Sequence, residues 1–326
     1  MCTSMTYKTS DGQYWLARTM DFGFELGGNP IVVPRQYEFH GVLGETFTTK
    51  FGFVGTGAQL KDYIVVDGVN EQGLSAATLY FSNQASYDQQ PAADRLSLAS
   101  FEVVNWILGN FQSNAEVRAH LDEMQVVDFE LPLLKGNVPL HWIIADRQGH
   151  CNVLEFKADG MHWYDDQIGV MTNSPDFAWH EQNLGNYVQL QNGFQPARQF
   201  SGYTAREIGP GSGALGLPGD YTSTSRFVRA SFTRQYAPQV ADAQALNTIN
   251  HLLEPFDIPR GVKQQANGYF DYTQYRGYMQ LSNATYYYQP YDDNTISAVQ
   301  LTDDLLNDTT VTTFAVAHQQ QVHVLN

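Results

Sequence analysis

The chain has 326 residues, 43% hydrophobic and 13% aromatic, which is enough to bury one large core or two modest ones. A formal net charge of -16 argues against nucleic acid or an anionic membrane surface as a partner, and no apolar run approaches the roughly 18 residues that cross a bilayer. Two cysteines, Cys2 and Cys151, offer no disulfide framework, and the start lacks the basic and apolar regions of a signal peptide, so the expected compartment is the cytoplasm.

Cys2 to Tyr7 and Gln13 to Met20 are strand-like runs around Ser10-Asp11-Gly12, which predicts an opening β-hairpin. Its geometry sets Cys2 opposite the stretch Arg18 to Met20. Tyr63 to Val69 and Leu74 to Phe81 repeat the pattern around Asn70-Glu71-Gln72-Gly73. Leu96, Phe101, Val104, Ile107 and Leu108 then recur at helical spacing up to Gly109, and Ser113 with Glu116 forms a capping box for a second helix. His141 to Asp146, Asn152 to Phe156 and Met161 to Tyr164 read as a three-strand meander, with a short helix over Trp179 to Leu190 after it.

Residues 192–220 are rich in Gly, Pro and aromatics and lack periodicity. That length exceeds an ordinary connection and predicts a functional or oligomer-contacting loop. Ser225 to Tyr236 and Ala241 to Leu253 restore helical spacing until Pro255, and strands follow at Gln274 to Leu281, Thr285 to Tyr291, Thr295 to Leu301 and Val311 to His318. Runs of strands and helices joined by hairpin-type connections predict an α+β fold of antiparallel sheets covered by helices, as one domain over 1–326.

Most motifs fail on context. Gly211, Gly213 and Gly216 have dinucleotide-loop spacing, but no strand leads in and Leu217-Pro218-Gly219 stands where a helix should start. The nine histidines give no H-x-x-x-H pair and neither cysteine has a partner two residues away, so no zinc site is expected; Cys151 reads as a buried strand residue. No G-x-S-x-G is present. Cys2 is different, because loss of Met1 would put a thiol and a free α-amine on one residue. Such groups titrate near about 8.5 and about 7.7–8.0, so one residue would hold a nucleophile and its base. The plain alternative is a small residue at a frayed terminus. Arg18 and Asp21, at the facing end of the hairpin, supply a cation to favour thiolate and a carboxylate to hold an ammonium; alone they would read as an exposed ion pair.

Met1-Cys2-Thr3, Arg18-Thr19-Met20-Asp21, Asn70-Glu71-Gln72-Gly73-Leu74, Leu140-His141-Trp142, Met171-Thr172-Asn173-Ser174-Pro175, Gly216-Leu217-Pro218-Gly219-Asp220 and Ser225-Arg226-Phe227 together resemble the choloylglycine hydrolase family, in order and over essentially the whole chain. That family contains bile salt hydrolases and penicillin V acylases of the N-terminal-nucleophile (Ntn) hydrolase superfamily. The resemblance implies a four-layer αββα sandwich of two packed antiparallel sheets, often a homotetramer in which a loop matching 192–220 reaches a neighbouring subunit. It implies Cys2 as nucleophile, Arg18 and Asp21 as the charged pair beside it, Asn173 as an oxyanion-stabilising side chain, and Arg226 as a cation near the thiol, with no metal or cofactor. Tyr80 stands where typical bile salt hydrolases carry asparagine; penicillin V acylases are similar in carrying tyrosine there.

The reaction expected is hydrolysis of a linear amide with an apolar acyl group, and Phe22, Phe24, Tyr80 and Phe81 are expected to line the acyl pocket. Tyr80 tips the expectation toward a penicillin V acylase-like activity on a phenoxyacetyl amide. A bile salt hydrolase releasing glycine or taurine is the alternative, followed by an acyl homoserine lactone acylase and an inactive binding protein of the same fold.

Overall fold

The opening hairpin sets the register for the rest. In the computed structural model, which describes residues 1–25, 27–131, 136–266 and 268–326, Cys2–Lys8 pairs with Tyr14–Phe22 and Cys2 faces Met20. Gly12 closes the turn at φ +85°, a conformation in which an L side chain is strained. Around this hairpin runs a six-stranded sheet in the order Val170–Met171, Cys2–Lys8, Tyr14–Phe22, Tyr272–Gln280, Thr285–Pro290, Ser297–Gln300. A second sheet of eight described strands runs Gly160–Asp165, Cys151–Lys157, Leu140–Ala145, Ser75–Tyr80, Tyr63–Asn70, Phe53–Gln59, Asn29–Val33, Thr312–Thr313. Every pairing in both is antiparallel.

Each sheet carries its own helices. Val103–Asn110 lies on Tyr63–Asn70 and Ser75–Tyr80, while Ser223–Tyr236 lies on Cys2–Lys8 and Asp242–Leu253 on Tyr14–Phe22. Phe227 and Ala230 of one helix and Ala245, Ile249 and Leu253 of the other recur at helical spacing and are fully buried. One apolar cluster fills the space between the sheets and continues under these two helices, and a second lies beneath Val103–Asn110. The layering is therefore the expected αββα sandwich. None of the described helices is long and apolar enough to cross a membrane.

Several elements depart from the sequence pattern. Leu96 sits in a strand, Leu96–Ala99, paired in parallel with Met124–Val127, and the helix starts only at Val103 after a 3-10 turn. Ser113 accepts from the Glu116 N–H (3.2 Å) as a cap should, but the Glu116 carboxylate reaches back to the N–H of Gln112, not Ser113. Of the run Val311 to His318 only Thr312–Thr313 joins a ladder. The stretch after residue 192 holds a small hairpin, Arg198–Phe200 with Tyr203–Ala205, whose Phe200 and Tyr203 are exposed. Asn29–Val33 and Phe53–Gln59 form strands that no clean alternation announced, because both are interrupted by Pro or Gly.

Candidate active site

Alternation along the first hairpin divides the candidate residues between two faces of one sheet. Cys2, Arg18 and Met20 turn inward, toward the eight-stranded sheet; Thr3, Thr19 and Asp21 turn outward, under the helix Ser223–Tyr236. Arg18 and Asp21 consequently do not pair with each other, and both are fully buried, so the exposed ion pair that they would form alone is not what they make. Asp21 is fully buried and accepts from the hydroxyls of Thr273 (2.6 Å) and Thr19 (3.2 Å).

Arg18 finds its partner across the sandwich. Its Nη1 donates to Asp67 Oδ2 (2.8 Å), and its Nη2 to the Thr78 carbonyl (3.1 Å), with both charged side chains wholly shielded from solvent. The hydroxyls of Tyr275 and Tyr286 also donate to Asp67. Tyr275 reaches that position because a bulge at Gln274 shifts the ladder, so that Thr273 faces Asp21 but Tyr275 faces Met20. Burial alone would lower the pKa of the Arg18 guanidinium; Cys2, Tyr275 and Asp67 outweigh it and raise the value, so the cation persists beside the thiol.

Asn173 joins the strand end to the helix behind it. Its Oδ1 accepts from the Cys2 N–H (2.8 Å) and from Arg226 Nη2 (2.7 Å), while its Nδ2 donates to the Tyr80 carbonyl (2.8 Å). One hydrogen on Nδ2 is thus committed, and a primary amide carries two. Its backbone is fixed as well, because the Asn173 carbonyl accepts from Ser223 Oγ (2.8 Å) and His180 Nε2 (2.7 Å). Arg226, in the first turn of Ser223–Tyr236, also donates to the Cys2 carbonyl and to Thr3 Oγ1 (2.7 Å), and burial lowers its pKa. That turn is capped by Thr222 and tied by Asp220, whose carboxyl is held down at about 2 by the hydroxyls of Ser225 and Thr222.

The Tyr80 backbone faces the same place. Phe81 N–H donates to the Pro139 carbonyl (2.8 Å), so the N–H and C=O of Tyr80 point to the opposite edge of the strand, where its carbonyl meets Asn173. The ladder on that edge ends at Asp67 opposite Ala77, leaving the Tyr80 N–H beyond it.

Inward from the Cys2 thiol opens a largely apolar cleft, with walls that include Phe22, Phe24, Ile64, Tyr80, Leu140 and Tyr275. Phe22 meets Phe24 and Tyr80 edge to face, with ring centroids 4.7 and 5.9 Å apart. Phe81 is not in this wall. One residue on from Tyr80, it points to the other face and stacks on the His141 ring at 4.3 Å, fully buried. Phe81 is therefore expected not to contact the acyl group, because its ring is covered by His141 and lines no part of the cleft.

Sequence reasoning missed Asp67, although its signal was present: a lone carboxylate inside Tyr63-Ile64-Val65-Val66-Asp67-Gly68-Val69 must be paired once that strand is buried. It also missed Ser223 and His180, whose partners are backbone carbonyls that leave no sequence trace. Cys151 is a buried strand residue, with its thiol 3.5 Å from Asp166 Oδ2. Among the described residues no three His, Cys, Asp or Glu side chains gather closely enough to hold a metal ion.

Comparison with known proteins bears on the family and the fold. Residues 2–314 match the model of the linear amide C–N hydrolases, choloylglycine hydrolase family. The chain is 32% identical over 318 residues to a bile salt hydrolase/transferase of Clostridium perfringens, covering 96% of each. A crystal structure of the R18L variant of the conjugated bile acid hydrolase from Clostridium perfringens superposes with a TM-score of 0.92 at 30% identity, each chain fully covered. Similarity to a penicillin V acylase of Pectobacterium atrosepticum is 27% over 66% of this chain and 54% of that one.

Proposed function

Because the chain belongs to the choloylglycine hydrolase family, and so is a hydrolase of linear amide C–N bonds, we propose that it cleaves conjugated bile salts through Cys2. The observation that carries the reading is sequence identity of 32% across 96% of the chain to a bile salt hydrolase/transferase, against 27% across 66% of it to a penicillin V acylase. The expected preference for penicillin V rested on Tyr80 alone. Tyr80 keeps that second reading in play, since its ring narrows the cleft against Phe22.

In the proposed mechanism Met1 is removed, and the Cys2 α-amine remains within reach of Asn173 Oδ1 (2.8 Å). Arg18 supplies the fixed cation that favours the Cys2 thiolate, which attacks the scissile carbonyl. The oxyanion is met by the Tyr80 N–H and the second Nδ2 hydrogen of Asn173. The α-amine protonates the departing amine, and then takes a proton from the water that hydrolyses the thioester. Arg226 binds the Cys2 carbonyl and Asn173 Oδ1 together, and so fixes amine and oxyanion donor relative to one another.

The test is a side-by-side measurement of kcat/KM on glycocholate and penicillin V. The bile salt is expected to be the better substrate, and a higher value for penicillin V would reverse the reading.

A further inference from the structure

A departing amine must leave from beside the Cys2 nitrogen, the group placed to give it a proton. In the structure Met1 lies there, with its carbonyl accepting from the Asp21 N–H (2.8 Å) and its Sδ 3.9 Å from Arg226 Nη2. The surroundings of Met1 therefore outline the subsite for the amine half of the substrate.

Residues 263–266 pair back onto residues 268–271 to form one wall of it. Asp271 N–H donates to the Lys263 carbonyl (2.9 Å), Gln265 N–H donates to the Tyr269 carbonyl (2.7 Å), and Gln264 bridges to Phe270. This wall presses on Gly23, where an added Cβ would stand 3.0 Å from Gln265 Nε2 and 3.4 Å from Asp271 Oδ1. Asp21 is only two residues away along the chain. The Met1 ammonium, whose pKa burial lowers, senses Cys2, Asp21, Asp271 and Lys263.

Lys263 is the distinctive group in the wall. Its Nζ is shielded from solvent, and among the described residues its one ion-pair partner is Asp271, with Oδ2 at 3.2 Å. The other cations nearby are committed. Arg226 donates to Cys2, Thr3, Asn173 and Tyr221, and Arg18 to Asp67, Thr78 and Thr19.

We propose that Lys263 is the specificity-determining residue of the amine subsite, binding a carboxylate or sulfonate carried by the amine half a few bonds from the scissile nitrogen. Asp271 holds the ammonium until that anion arrives. The inference rests on the amide-hydrolase reading but not on the acyl group, because glycine, taurine and the amine half of penicillin V all carry an acid.

The experiment compares Lys263→Met and Lys263→Arg with the parent on two matched pairs: glycocholate against cholylglycinamide, and phenoxyacetylglycine against phenoxyacetylglycinamide. The methionine variant is expected to raise KM for the acid about tenfold more than KM for its neutral amide, and the arginine variant to restore the ratio to within about threefold. An equal change on charged and neutral members, or no change on either, overturns the assignment. Parent rates on cholyl against phenoxyacetyl compounds report the acyl preference separately, so a failed bile salt reading leaves the charge comparison readable in the other pair.

Discussion

Asn173 ties the site together through one side chain, since its Oδ1 and Nδ2 join the Cys2 nitrogen, Arg226 and Tyr80. Losing one preorganised oxyanion donor removes about 3–4 kcal/mol of transition-state stabilisation. Asn173→Ala is therefore expected to lower kcat about a hundredfold or more while Cys2 still reacts with iodoacetamide; a kcat within tenfold of the parent would remove Asn173 from the oxyanion site. At this scale the sequence was legible wherever chemistry dictates residue type. Cys2, Arg18, Asp21, Asn173 and Arg226 all converge on the first residues of one strand, as a thiol with its own amine requires. It was illegible where a neighbouring side chain decides between cleft and core: the Tyr80 ring stands in the cleft wall, whereas His141 covers Phe81.

The short helix Phe177–Asn183 shows how an element without reactive groups controls the site. Its His180 ring stacks on Phe227 at 4.5 Å, donates through Nε2 to the Asn173 carbonyl, and leaves Nδ1 without a partner. Protonating Nδ1 would bury a charge with no acceptor, and burial accordingly pulls the pKa from 6.5 to about 4. The sign follows from proton counting: between those values the unfolded chain binds the proton and the folded one does not, so this stabilisation is full above pH 6.5 and is lost as pH falls toward 4. It amounts to about 3 kcal/mol. His180→Gln keeps a donor for Asn173 but does not titrate, so its thermal midpoint is expected to fall less steeply than the parent's over that range; parallel slopes would refute the role. Helices and hairpins with unbroken periodicity were legible in the sequence. The strand at Leu96–Ala99 was not, because its apolar residues also satisfy helical spacing with those of the helix that follows.

Among the described residues, the two sheets are tied at depth by an ion pair between Arg18 of the six-stranded sheet and Asp67 of the eight-stranded one. Removing one partner strands the other charge in the core at about 3–5 kcal/mol, whereas replacing both with apolar groups costs less. Asp67→Ala is expected to unfold at markedly lower urea than the double variant Asp67→Ala/Arg18→Met; equal midpoints would mean that the bridge contributes nothing. The sandwich was foreseeable from the order of strands and helices, but the bridge was not, since it joins residues 49 positions apart that only sheet packing brings together. The ladder that sets Cys2 against Met20 has a further consequence. If Cys2 is the nucleophile we propose, its place in a paired strand keeps it from drifting, and reactivity and selectivity become separable properties of this scaffold. On the proposed subsites, changes in which acid or amine is accepted are expected to map to the segment after Phe22 and to residues 263–266 and 268–271, and a mutational library confined to those positions is the direct route to new substrates.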